Sequence, residues 1–231
     1  VIDRNLLLHS RFALGALATA LAAVAPLSAA HAQAVQPWPD LVVSTPLGQG
    51  WQASAEALGR IADDTRPSQA ETRLLLGHTL GRNVTGWIGW VHLANFNPGA
   101  PNGHENQVAE QLNWAIGALG PVRISTRTRL EQRFISNVEG VSWRWRQQVR
   151  LALPLAGKRG PSAVVWAEPY IGLNHTSGQP RTLDQTRVFV GLALPVSPRV
   201  DLEFGYLEQR IHHATSTTLN HAIPIVITAR F

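Results

Sequence analysis

Through most of its length the chain changes between polar and apolar side chains at every second position. In "VRISTRTRLEQRF" (122–134), Arg123, Arg127, Arg129, Glu131 and Arg133 hold odd positions. Val122, Ile124, Leu130 and Phe134 share the even ones with Thr126, Thr128 and Gln132. A strand sends successive side chains to opposite faces, so this segment has one charged wall and one largely apolar wall. The parity recurs. "WRWRQQVRLAL" sets Arg144, Arg146 and Arg150 against Trp143, Trp145, Val149, Leu151 and Leu153. "WQASAEALGRI" sets Gln52, Glu56 and Arg60 against Trp51 and a row of alanines, and "RVDLEFGYLEQ" sets Asp201 and Glu203 against Val200, Leu202, Phe204 and Tyr206.

These patterns predict ten strands, about 50–63, 69–81, 84–95, 105–117, 121–135, 140–153, 162–174, 182–195, 199–211 and 218–231. Clusters of Gly, Pro, Asn and Asp such as "NPGAPNG" and "HTSGQP" separate them. Connections alternate between short ("GRN", "GALGP", "PVSPR") and longer ("DDTRPSQ", "HTSGQPRT"), with "AGKRGPS" a middling exception. A soluble sandwich also alternates. Strands of twelve to fourteen residues, aromatics near strand ends and two classes of connection point instead to an all-β, antiparallel transmembrane barrel. Its short turns are expected on the periplasmic side and its longer loops outside the cell. Ten strands are expected, with twelve as the alternative. The segment 33–49, "QAVQPWPDLVVSTPLGQ", reads as a short strand or a plug, and the barrel as residues 50–231.

Two ends of the chain bear on location. Arg4 and Arg11 precede an apolar run from Phe12 to Ala25, and the small-residue sites Ala30-His31-Ala32 and Ala32-Gln33-Ala34 follow. This pattern predicts a secretory signal peptide over 1–32, with cleavage at 34 as the alternative. Val1 in place of Met suggests an alternative bacterial start codon. Cysteine is absent, so an exported chain is held together without disulfides. The formal charge of +5 rests on 19 arginines and the single Lys158. The arginines are spread over strands rather than gathered in one basic run, which argues against a nucleic-acid partner. No zinc spacing, P-loop or dinucleotide fingerprint appears, so no cofactor or metal is expected; His212 and His213 lack a third ligand.

"RTRLEQR" (127–133), "ENQVAEQL" from Glu105, "WRWR" (143–146), "QTRVFVGL" from Gln185 and "GYLEQ" from Gly205 recur in this order along the chain. In that order they resemble the barrels catalogued as domain of unknown function 2490, over roughly Trp38 to Phe231. Gln107 departs from the pattern, which often has Arg there. The resemblance implies a bacterial outer-membrane barrel and no particular activity. The last strand, "LNHAIPIVITARF", resembles the signal read by the barrel assembly machinery, with Ile223, Ile225, Ile227 and Phe231 on one parity. Outer-membrane lipid and that machinery are therefore the expected partners, and the barrel is read as a monomer.

The charged parity yields the candidate site. It gathers Arg60, Arg73, Arg123, Arg127, Arg129, Arg133, Arg144, Arg146, Arg150 and Arg187 with Glu56, Glu71, Glu105, Glu131, Glu168, Asp201 and Glu203. Small barrels are filled by their own side chains, and buried charges need partners, so a structural ladder with a narrow or filled lumen is expected. An anion-preferring channel is the alternative, from the excess of three arginines and the fit of guanidinium to carboxylate or phosphate. A lipid-modifying hydrolase is the second. His175 and Ser177 in "LNHTSG" form an H-x-S pair resembling that of outer-membrane lipid hydrolases, with Asp184 able to orient the histidine. Ordinary turn chemistry explains the same residues more simply, so the chain is not read as an enzyme.

Overall fold

A computed structural model of the protein describes residues 35–231 apart from 63–65, 158–159 and 214. The expected signal peptide lies outside these residues. Every regular element described is a strand: β1 (Gln36–Gly48), β2 (Trp51–Arg60), β3 (Ser68–Gly81), β4 (Val84–Phe96), β5 (Gly103–Leu119), β6 (Val122–Ile135), β7 (Ser142–Pro154), β8 (Ser162–Gly172), β9 (Leu183–Ser197), β10 (Val200–His212) and β11 (Thr217–Arg230). Each strand is hydrogen-bonded to the next in sequence, and β1 pairs with β11 to close the barrel.

The closure corrects the expected count of ten or twelve. Residues 36–48 are a full thirteen-residue strand, neither a short strand nor a plug, and the barrel begins there rather than at 50. Eleven described strands in up-and-down order leave the first and last running the same way, so β1 and β11 pair in parallel, from Gln36↔Ala222 to Ser44↔Arg230. Prolines 37, 39 and 46 hid this strand, because proline has no N–H for a ladder. Antiparallel pairing to β2 starts only at Asp40, beyond Pro37 and Pro39. The Pro37 carbonyl still accepts from Ile61 N at 3.1 Å.

Connections divide by end. Four of the five at one end span two residues: 49–50, 82–83, 120–121 and 198–199. In the Gln49-Gly50 turn both residues adopt positive φ, at 51° and 80°; this twist suits a hairpin. The other end carries 61–67, 97–102, 136–141, 173–182 and 213–216. Gln36 lies at the long-loop end, and Arg230 at the short-turn end.

Register fixes the two faces. Leu74, Leu76, Ile88, Trp90, Leu112, Ile223, Ile225 and Ile227 lie exposed on the outer wall. A small apolar core sits inside, where Trp38, Val164, Phe189, Leu207 and Ala222 pack together. Phe189 stacks on Trp166 at 5.3 Å between centroids. Room for that ring comes from Gly191 and Gly205, which face each other across β9 and β10. A Cβ on Gly191 would lie 2.2 Å from the Phe204 carbonyl oxygen and 2.5 Å from the Phe189 ring. Aromatics thus point both ways: Trp51 and Trp114 turn outward near the short-turn end, while Trp38, Trp166 and Tyr170 fill the interior.

Candidate functional site: the charged interior

The inward residues of β6, β7 and β8 converge on two buried carboxylates. Glu131, fully buried, accepts from Arg144 Nε and Arg146 Nη1, both at 2.7 Å, and Arg129 Nη1 lies 3.8 Å away. Glu168 accepts from Arg146 Nε (3.1 Å) and Nη2 (3.0 Å), from Arg127 Nη2 (3.0 Å) and from the Tyr170 hydroxyl (3.2 Å). Arg146 therefore ties β6 to β8 across its own strand. Charged groups taken from water need such full pairing, since an unpaired one costs several kcal/mol.

On the opposite wall Arg73 bridges Glu56 and Glu71, and Arg60 Nη2 lies 3.2 Å from Glu71. Near the loop end Arg133 forks onto Glu105, with Nε at 2.6 Å and Nη2 at 2.8 Å. Gln107 donates to the same carboxylate at 2.7 Å, so the residue that departs from the pattern supplies a neutral donor where arginine would add charge. Near the short-turn end Arg150 forks onto Glu203, Arg123 donates to Ser162 at 3.0 Å, and Arg230 meets Asp201 at 2.6 Å.

Several members of the site were not anticipated. Trp38 and Asp40 come from β1, in the segment that the sequence presents as a short strand or a plug. Gln111 accepts from Arg129 Nε at 2.8 Å. Asp184 lies 3.4 Å from Arg144 Nη1, and Arg230 extends the ladder. Counting Asp40, Asp184 and Arg230, inward arginines among the described strands exceed acids by two, not three. Gln179 gave no signal at all. It reaches down from the 173–182 loop, accepts from Arg133 Nη1 at 2.9 Å and donates to the Trp143 carbonyl at 2.7 Å.

That insertion folds Thr176-Ser177-Gly178-Gln179 into a tight turn over the mouth, with Thr176 and Gln179 paired. His175 and Ser177 are exposed on it. Asp184 is engaged with Arg144, so the three weak catalytic candidates do not assemble. Phe231 is exposed at the short-turn end, where its N–H donates to the Ser44 carbonyl at 3.0 Å.

Two cavities of the interior share no lining residue. One, of about 920 Å³, opens toward the short turns and is lined by Arg123, Arg150, Ser162, Asp201, Glu203 and Arg230 among others. The other, of about 600 Å³, lies under the long loops, between Trp38, Arg60, Glu105, Arg133, Tyr170 and Arg187. Between them sit the buried Arg129, Glu131, Glu168 and Phe189.

Fold and site together define a closed β-barrel with a charged, internally paired lumen and an apolar outer wall. The chain belongs to the family described as Protein of unknown function (DUF2490), whose model matches residues 35–220. It is also 36% identical over 130 residues to an uncharacterized protein of Methylorubrum extorquens. That match covers 55% of this chain and 57% of the relative's length. No solved structure matches the chain.

Proposed function

We propose that the protein is an integral barrel of the bacterial outer membrane whose lumen is shut by its own ion pairs. One observation carries the reading: the wall is inside out, with arginine and glutamate buried and leucine, isoleucine and tryptophan exposed. Leu74 is 56% exposed, Ile88 52% and Trp114 49%. A largely apolar wall of this kind needs a covering, and lipid provides one. Toward the loop end the outer face turns polar, where His92 meets Asn106 at 2.8 Å and Arg210 donates to Glu208 at 2.7 Å. Such a boundary is where a hydrocarbon layer would stop. Short turns then face the periplasm and long loops the outside, with lipid and the barrel assembly machinery as partners.

The occluded layer favours a structural or narrow-pore role over diffusion of solutes. An anion-preferring channel would need Arg146 to release at least one carboxylate. A hydrolase acting through His175 and Ser177 draws least support, given the place of Asp184. Membrane fractionation with heat-modifiable migration on a denaturing gel tests the proposal. Recovery in the membrane pellet, with faster migration before boiling, is expected. Recovery as a soluble monomer would refute it.

A further inference from the structure

Two inward strand arginines have no carboxylate within 4.0 Å among the described residues: Arg123, which is exposed, and Arg187, which is only 8% exposed. Arg187 lies in the wall of the loop-end cavity. Its guanidinium carbon sits 5.2 Å from the Trp38 ring centroid and 5.0 Å from that of Tyr170. With its amide oxygen turned toward the arginine, Gln185 accepts from Arg187 Nε at 2.6 Å. Rings and an amide soften the burial of a cation but do not neutralise it. The carboxylates in the same cavity are already engaged, Glu105 by Arg133 and Glu71 by Arg60 and Arg73.

The rest of the lining is rich in side-chain amides, including Gln36, Gln107, Gln209 and Asn220. An amide offers both donor and acceptor, the complement of a hydroxyl group. At about 600 Å³ the space is that of a small-molecule site. Gln36 accepts from Trp38, Gln107 donates to Glu105 and Asn220 donates to Gln209, yet each amide keeps further donor or acceptor capacity. An apolar ligand would leave that capacity unused, and a bare anion would engage Arg187 without using it.

We propose that the loop-end cavity binds a small acid on a polyhydroxylated body, such as a sugar acid or sugar phosphate, with Arg187 holding the anionic group and the amides the hydroxyls. The site goes beyond the membrane-barrel reading and is tested separately from it. Calorimetric titration of the detergent-folded protein with D-glucuronate, glucose 1-phosphate, glucose and acetate is the experiment. Saturable binding of glucuronate or glucose 1-phosphate is expected, and which of the two binds tells carboxylate from phosphate. Glucose and acetate should bind at least about tenfold more weakly, since each lacks one half of the recognition. Arg187→Gln should weaken binding by about tenfold or more. Arg187→Lys, which keeps the buried charge if the first variant does not fold, should also weaken it, because an ammonium cannot lie flat between two rings and fork. Wild-type affinity in both variants, or no saturable binding of either anion, would overturn the proposal. Heat-modifiable migration of each variant reports the barrel independently, so failure of the fold and failure of the site are distinguishable.

Discussion

Arg146 reaches carboxylates on both neighbouring strands, and its removal or theirs would leave charge stranded in a dry layer. Glu131→Gln leaves Arg144 and Arg146 each short of a charged partner at a fully buried position. Breaking such a pair costs about 3–5 kcal/mol. Glu203 stands apart: its side chain is 19% exposed, beside the cavity at the short-turn end, and among the described residues it pairs with Arg150 alone. Glu203→Gln should cost about 1 kcal/mol or less, since water reaches the arginine it releases. Urea unfolding of the two variants in detergent checks the contrast, and equal losses would argue against a dry ion-pair layer. At this scale the alternation in sequence was informative about which arginines share a face, because parity needs no knowledge of neighbours. It was uninformative about who pairs with whom. That depends on register across strands, and for Gln179 on a loop that folds back.

β1 is the element whose assignment changes the barrel. Its three prolines argue against a central strand when read singly, yet its parity places Trp38 inward against Phe189 and Leu207. Strand boundaries elsewhere were legible to within about three residues, as turn residues cluster where alternation breaks. The seam can be tested directly, because the chain has no cysteine of its own. Leu41 and Ile227 are aligned across β1 and β11 on the outer face. Cysteines at these two positions should cross-link on mild oxidation, whereas a Leu41/Ile223 pair, four residues out of register, should not. Cross-linking of the second pair alone would place the seam elsewhere. Gly191→Leu is expected to impair folding, because its side chain would need the space now held by Phe189 and the Phe204 carbonyl.

For the whole molecule, alternation implied a barrel but not how it closes. An odd number of described strands follows from the parallel seam, a pairing that no single segment reveals. On the proposed membrane setting, a charge in the middle of the outer wall should be costly. Leu74 lies midway along β3, opposite Ala55 and Trp90. Leu74→Arg should destabilise the bilayer-embedded barrel by about 2–4 kcal/mol. Glu110 is already such a charge, exposed between Ile88 and Leu130, and Glu110→Leu should stabilise the barrel by on the order of 1 kcal/mol. Unfolding from lipid vesicles measures both; a neutral Leu74→Arg would mean that water, not lipid, covers this wall. In a planar bilayer the purified protein should show no steady conductance, as the buried layer separates the two cavities.

The most direct test of the inside-out wall is a cysteine scan of residues 122–134 in the reconstituted protein, each site carrying a fluorophore read with a quencher confined to the lipid phase. Even positions from Ile124 to Gln132 should be quenched, and odd positions from Arg123 to Arg133 should be protected. Quenching at the odd positions, with the even ones protected, would contradict the account at its foundation.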